Sequence, residues 1–253
     1  MTSPSLTVTI DARFHDAVLF DLDGVLTDTA SVHARAWTEL FDRFLTTRPA
    51  RPGENHSPFT AEDYRTLVDG KPREHGIADF LQARHISLPV GRSTDTGGDT
   101  IWGLAASKQH SFERLLATGL TVFESTVALV RQLADSGFGV ALFSSSRNCR
   151  QVLHAAGLDD LFAVCVDGVV AEVLGLPGKP DPAVLLEAAH RLAARPDRCV
   201  VVDDGQSGVA AGRAGGFAMV IGVARVDRAE DELLAAGADV VVRDLAEVTI
   251  TNR

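Results

Sequence analysis

VLFDLDGVLTDT, residues 18–29, places two carboxylates where a buried strand ends. Val18, Leu19 and Phe20 run straight into Asp21, and Asp23 follows two positions later. In a regular strand the two acids would share a face. Just past a strand end, one side chain and one backbone carbonyl can converge instead, and Gly24 permits the tight turn this needs. The arrangement suits a divalent cation with oxygen ligands and leaves a carboxylate free as nucleophile or proton donor. A lone DxD more often marks a solvated loop, so the rest of the chain has to decide.

Further runs of strand length follow: AVLF (17–20), FGVALF (138–143), FAVCV (162–166), CVVV (199–202), FAMVIGV (217–223) and ADVVV (238–242). They are mostly unalternating, the pattern of strands covered on both faces in a parallel sheet. Helical patterns lie between them: STVALVRQLADSG, NCRQVLHAAGL, DPAVLLEAAHRLAA and QSGVAAGRAG. Strands alternating with helices imply right-handed crossovers and an α/β fold with a Rossmann-like open parallel sheet. Sites in such sheets gather at the carboxyl ends of strands, and Asp21, Ser144 and Asp203 all fall there. That coincidence outweighs any one of them.

Residues 31–107 break the rhythm. SVHARAWTELFDRFL reads as a helix with Val32, Ala36, Leu40 and Phe44 on one stripe. AEDYRTLVDG and REHGIADFLQARH are helical too, and another helix is expected from Ile101 to Thr118. The expected organisation is a core of residues 1–28 and 112–253 with a helical cap domain, 29–111, inserted after the first strand. Linkers around 26–30 and 111–121 would let the cap move as a lid. VDGVVAEVLGLPG, from residue 166, reads as a long loop.

The chain has 253 residues, formal net charge -10 and three cysteines. The charge argues against a large nucleic-acid footprint. No apolar run could span a bilayer, and the start lacks the basic-then-apolar order of a signal peptide. Scattered, odd-numbered cysteines fit neither a disulfide framework nor a close metal cluster. The expectation is a cytoplasmic protein, a monomer or weak dimer, without nucleic-acid or membrane partners.

The remaining candidates complete a chemistry. Ser144, Ser145 and Ser146 follow FGVALF, where hydroxyls and backbone N–H groups form an anion cradle or simply cap a helix. Arg147 faces either ligand or solvent. Lys179, before Pro180, sits on an extended loop ahead of a helix. Asp203 and Asp204 end CVVV, and two adjacent acids cannot both be buried unpaired. Either they face water, or a cation or lysine holds them. Together the parts fit phosphoryl transfer: carboxylates bind Mg2+, a hydroxyl and a lysine neutralise the phosphoryl group, Asp21 attacks phosphorus and Asp23 handles the proton. Oxygen ligands favour Mg2+; the Cys and His spacing of a zinc site is absent.

The order DLDGVLTD, SSS, GKPDP, VVDDGQSG resembles the haloacid dehalogenase superfamily across nearly the whole chain. The resemblance implies Asp21 as phosphorylated nucleophile, Asp23 as general acid/base, and Ser144 and Lys179 on the phosphoryl group. It implies a metal held by Asp21, the backbone of Asp23, and Asp204 with Asp203 beside it. The second acid, Asp23, argues for phosphoryl transfer rather than dehalogenation. The cap resembles the beta-phosphoglucomutase-like subgroup, which interconverts beta-glucose 1-phosphate and glucose 6-phosphate through a sugar bisphosphate. That likeness makes Thr29, His33, Arg73, Lys108, Ser145, Arg147 and Asn148 the substrate-binding candidates.

Two departures stand out. The acidic pair is Asp203–Asp204 where the subgroup usually has Glu–Asp, and Asp69 stands where a lysine precedes the cap glycine. Lys71 either compensates or the substrate differs. The leading expectation is a sugar phosphomutase. Its alternative is a phosphatase of small sugar phosphates using the same phosphoaspartate chemistry, and a non-enzymatic binding protein on this fold is a distant third.

Overall fold

The computed structural model describes residues 8–68, 71, 73–225 and 229–252. The chain divides into two compact units: the residues up to Thr29 together with those from Thr121 onward, and Ala30–Leu120. The strands are β1 (Val8–Asp11), β2 (Ala17–Asp21), β3 (Gly139–Phe143), β4 (Val164–Val166), β5 (Cys199–Asp203), β6 (Met219–Val223), β7 (Val240–Val242) and β8 (Val248–Thr251). The helices are α1 (Thr29–Thr47), α2 (Ala61–Asp63), α3 (Arg73–Ala83), α4 (Ile101–Leu116), α5 (Glu124–Asp135), α6 (Cys149–Ala155), α7 (Gly168–Leu174), α8 (Ala183–Arg191), α9 (Gln206–Ala214) and α10 (Ala229–Ala236).

In the first unit six parallel strands form one sheet in the order β4-β3-β2-β5-β6-β7. This is the open α/β sheet with inserted helical segments that the alternating pattern implies. Every residue of β2 and β5 is buried, as unalternating apolar runs require when both faces are covered. Ala17 and Leu19 pack on one face with Ala141, Phe143, Cys199, Val201 and the α8 residues Val184, Leu185 and Ala188. Successive side chains point to opposite faces, so Val18 and Phe20, fully buried, serve the other. β1 and β8 pair in parallel as a separate two-stranded sheet, with Val8 opposite Val248 and Asp11 opposite Thr251.

The stretch read as a long loop after β4 contains α7. Asp167 caps it, its Oδ1 accepting from the Val169 and Val170 N–H groups at 3.1 and 2.9 Å. An N-cap acid ahead of an apolar segment is sufficient signal for a short helix.

The second unit is helical. The α1 stripe of Val32, Ala36, Leu40 and Phe44 is buried, and Trp37, Phe41 and Leu45 widen it. Phe41 stacks on Phe80 of α3 with ring centroids 3.7 Å apart and meets Phe59 at 5.1 Å. Truncating a fully buried phenylalanine of this kind costs about 3–5 kcal/mol. The loop after α1 is tied down by polar bonds. Arg84 donates to the Ser57 and Pro58 carbonyls and to Asp63, while Glu54 accepts from Arg48 at 2.8 Å and pairs with His56 at 3.0 Å. The expected return to the core at 111/112 falls inside α4. Phe112, Leu115 and Leu116 continue its buried stripe, so the helix runs on and the units divide after Leu120.

Candidate active site

Asp21 closes β2, a central strand of the sheet, and is 4% exposed. The chain then turns back on itself, with Gly24 N–H donating to Thr27 O at 2.8 Å and Thr27 N–H to Leu22 O at 3.0 Å. Gly24 has φ +79°, and a Cβ there would lie 1.8 Å from Asp204 Oδ2, so no other residue fits this turn beside that acid. The turn aims Asp23 back over the strand end. Its carboxylate accepts from the hydroxyl of Thr29, the first residue of α1, and from Ser144 Oγ at 3.4 Å.

Ser144 follows β3, and its Oγ also accepts from Ser146 N–H at 3.0 Å. Lys179 donates from Nζ to Asp21 Oδ1 and to Asp203 Oδ2, each at 2.9 Å, and lies over the Phe143 ring at 5.1 Å. Asp203 ends β5 and is fixed by the Gly205 N–H at 2.8 Å. Of the two readings of the acidic pair, the lysine holds Asp203.

Ligand oxygens of Asp21, Asp203 and Asp204 lie within 4.8 Å of one another. Burial pushes the Asp21 carboxyl well above the usual carboxylate range, with Lys179 opposing and Asp203 reinforcing. Burial and the Asp203 charge push Asp204 up to about 7. Asp23 is also raised by burial, against its Thr29 hydrogen bond. Among the described residues only Lys179 forms an ion pair with any of these three clustered acids, which leaves them short of positive charge, and an all-oxygen donor set fits a hard divalent cation such as Mg2+. The Asp23 side chain is not part of that cluster; its carboxylate is taken by the two hydroxyls.

The other expected site residues divide by unit. Thr29 is fully buried, and its hydroxyl donates to Asp23. Ser145 is exposed, and Asn148, buried, starts the step into α6 with its N–H on Ser146 Oγ at 3.1 Å. Arg147 is exposed and its guanidinium is paired with Glu172. In the helical unit, Lys108 is buried and its Nζ donates to His33 Nδ1 at 2.6 Å, while His33 stacks on Phe112 at 4.3 Å. Arg73 opens α3, and its charge is felt at His33. Lys71 is paired with Asp79 at 2.6 Å; Asp69 lies outside the described residues.

One supporting residue escaped the sequence reading. Arg225, just beyond β6, donates to the Gly24 carbonyl and, from Nη2, to Val25 O at 3.2 Å. Its place at the carboxyl end of a strand was the available signal.

Asp21 thus ends a central parallel strand, with Lys179 and the Asp203–Asp204 pair beside it, and a family model spans this whole region. The chain belongs to the haloacid dehalogenase-like hydrolases, whose model covers residues 15–216. Within that family it falls in a beta-phosphoglucomutase-like subgroup. It is 47% identical over 237 residues to the beta-phosphoglucomutase of Mycobacterium bovis, covering 92% of this chain and 90% of that protein. It is also 50% identical over 242 residues to an uncharacterized glycosyl hydrolase of Mycobacterium tuberculosis. That match takes in 96% of this chain but spans only 18% of the relative's length. Among solved structures, a HAD family hydrolase from Deinococcus radiodurans with bound phosphate and sodium superposes with TM-score 0.68 at 26% identity, covering 92% of this chain and 93% of that one.

Proposed function

We propose that the chain is a Mg2+-dependent phosphomutase of the beta-phosphoglucomutase type, interconverting beta-glucose 1-phosphate and glucose 6-phosphate through a phosphoaspartate. The observation that carries the phosphoaspartate chemistry of this reading is the pairing of two differently held acids. Asp21 is oriented by Lys179 at 2.9 Å, and Asp23 is turned back by Thr29 and Ser144. The relative named beta-phosphoglucomutase, matched over 90% of its length, supports the choice of sugar.

In this reading phospho-Asp21 gives its phosphoryl group to the 6-hydroxyl of beta-glucose 1-phosphate. The new P–O bond forms as the bond to Asp21 breaks, and Asp23 takes the hydroxyl proton. The bisphosphate turns end for end. Asp21 then attacks the phosphorus at the other end, and Asp23 returns the proton to the departing sugar oxygen. Lys179 and the Ser144 hydroxyl neutralise the transferring group. Mg2+, held by Asp21, the Asp23 backbone and Asp204 beside Asp203, would supply the remaining positive charge. A raised Asp23 pKa suits a group that must both take and give a proton.

A phosphatase uses the same core residues and differs in letting water reach phospho-Asp21. The Deinococcus radiodurans neighbour, named a hydrolase, favours that second reading. The deciding experiment gives pure protein Mg2+, beta-glucose 1-phosphate and a trace of the bisphosphate, and follows glucose 6-phosphate and free phosphate separately. Isomer formation with little phosphate release supports the mutase. His33→Ala and Lys108→Ala should then depress isomer flux far more than hydrolysis of acetyl phosphate. Stoichiometric phosphate release from several sugar phosphates would replace the mutase reading with the phosphatase.

A further inference from the structure

Two of the three cysteines meet beside the phosphoryl-binding loop. Cys149 opens α6, directly after loop 144–148, and is fully buried; Cys165 lies in β4 and is partly exposed. Their sulfurs are 3.5 Å apart. The segment after Cys165 already grips the loop: Ser144 N–H donates to Val166 O and Gly168 N–H to Ser146 O, each at 3.1 Å. The approach is close enough that a Cβ on Gly168 would lie 2.6 Å from Ser145 O. We infer that Cys149 and Cys165 are a site of reversible oxidation, where a peroxide joins the two sulfurs and fixes the loop that carries Ser144.

The geometry asks for little movement. A disulfide needs about 2.05 Å between sulfurs, so the pair must close by about 1.5 Å. Cys165 is the more exposed of the two residues and so the first within reach of a small oxidant. The S–H···S bond between them lowers the Cys165 thiol below its ordinary range, while that bond and burial push Cys149 far above. Cys165 therefore attacks hydrogen peroxide: an S–O bond forms, the O–O bond breaks, and the departing hydroxide takes a proton to leave as water. The Cys149 sulfur then attacks the sulfenic sulfur, the S–S bond forms, the S–O bond breaks, and a second water carries away the Cys149 proton. Two thiols and one peroxide give one disulfide and two waters. Cys199 stays out of this exchange, being fully buried with its S–H donated to Arg195 O at 3.1 Å.

The bond closes a ring from residue 149 to residue 165 and adds a covalent tie to the two backbone hydrogen bonds through which Val166 and Gly168 hold the loop. Oxidation therefore restricts the segment that sets Ser144 against Asp23. This goes beyond the mutase reading and holds equally for a phosphatase.

The test treats the full chain with stoichiometric hydrogen peroxide, digests it without reductant and analyses the peptides by mass spectrometry. The expected result is a bridged peptide containing Cys149 and Cys165, titratable thiols falling from three to one, and recovery with dithiothreitol. Amide hydrogen exchange across residues 144–148 should slow severalfold in the oxidised protein and stay unchanged in peroxide-treated Cys165→Ser or Cys149→Ser. Recovery of Cys165 unmodified or as a sulfinic acid with no bridged peptide overturns the inference, as does a bridge that leaves exchange in the loop unaltered.

Discussion

Arg225 donates its Nε–H to the carbonyl oxygen of Gly24 at 2.7 Å, across 201 residues of sequence. The same guanidinium reaches Val25 O and lies over the Phe123 ring at 3.3 Å, while Thr126 adds its own hydroxyl bond to Val25 O at 2.7 Å. These contacts fix the turn that aims Asp23 and leaves Asp204 its space. Arg225 is thus a positioning residue. Arg225→Ala should lower kcat for acetyl phosphate by about ten- to a hundredfold with KM changed far less, since small misplacements of catalytic groups cost that much. Arg225→Lys should keep part of the rate. A lowered melting temperature with unchanged kcat would assign Arg225 to stability alone.

Lys179 pairs with both Asp21 and Asp203, and all three side chains are largely buried. Removing one partner of such a group leaves uncompensated charge and costs about 3–5 kcal/mol. Lys179→Met should abolish turnover and lower the midpoint of chemical denaturation. Adding Asp21→Asn to it should restore part of the stability and none of the activity. Strict additivity of the two stability losses would show that the charges are not coupled.

The acidic cluster predicts a metal effect that needs no assay of catalysis. Mg2+ that binds the folded chain stabilises it by RT ln(1 + [Mg2+]/Kd), about 2.7 kcal/mol at a hundredfold excess over Kd. The melting temperature should rise with Mg2+ and return with chelator, and Asp204→Asn should blunt the response. A wild-type melting curve indifferent to millimolar Mg2+ would count against the metal assignment.

Glu54 gives the helical unit a pH dependence of known sign. Hydrogen bonds from Arg48 and His56 hold its carboxyl at about 2, below the ordinary 4.5. The unfolded chain therefore binds a proton that the folded chain does not as pH falls below 4.5. The stabilisation is complete above that pH and is lost as pH drops toward 2. Glu54→Gln should lower the melting temperature at pH 7, with the difference from wild type shrinking between pH 4.5 and 2. A constant difference over that window contradicts the linkage.

Lys108 donates to His33 Nδ1, which assigns the imidazole proton to Nε2. Burial, then the Lys108 and Arg73 charges, push the His33 pKa down to about 3. Its nitrogen resonances should show no protonation between pH 8 and 5, and Lys108→Met should move the midpoint upward. A wild-type midpoint near 6.5 would refute the pairing.

The core site was legible because its residues sit at strand ends, where β2, β3 and β5 deliver Asp21, Ser144 and Asp203 by topology alone. Local pattern says less about what one side chain gives another. Thr29 gives its hydroxyl to Asp23 and Arg147 pairs with Glu172, and neither partner is visible in the local sequence. Those outcomes depend on rotamers and on partners distant in sequence. The same applies to β1 and β8, whose VTID and VTIT alternate apolar and polar residues and so form no continuous apolar run, and to Cys149 and Cys165, sixteen residues apart in sequence and adjacent only once β3 and β4 pair.

The parallel pairing of β1 with β8 also sets how the chain bears load. Tension applied through Val8 and Thr251 pulls the two strands along their length in opposite directions, so all the rungs of the ladder are sheared together rather than peeled one by one. The Thr9–Thr249 hydroxyl contact at 3.1 Å adds a cross-strand rung to that clamp. Pulled from these two points, the ladder should fail first and in one step, with β2 and the acids at its end still folded. A force trace that opens gradually from one end would show the clamp is not there.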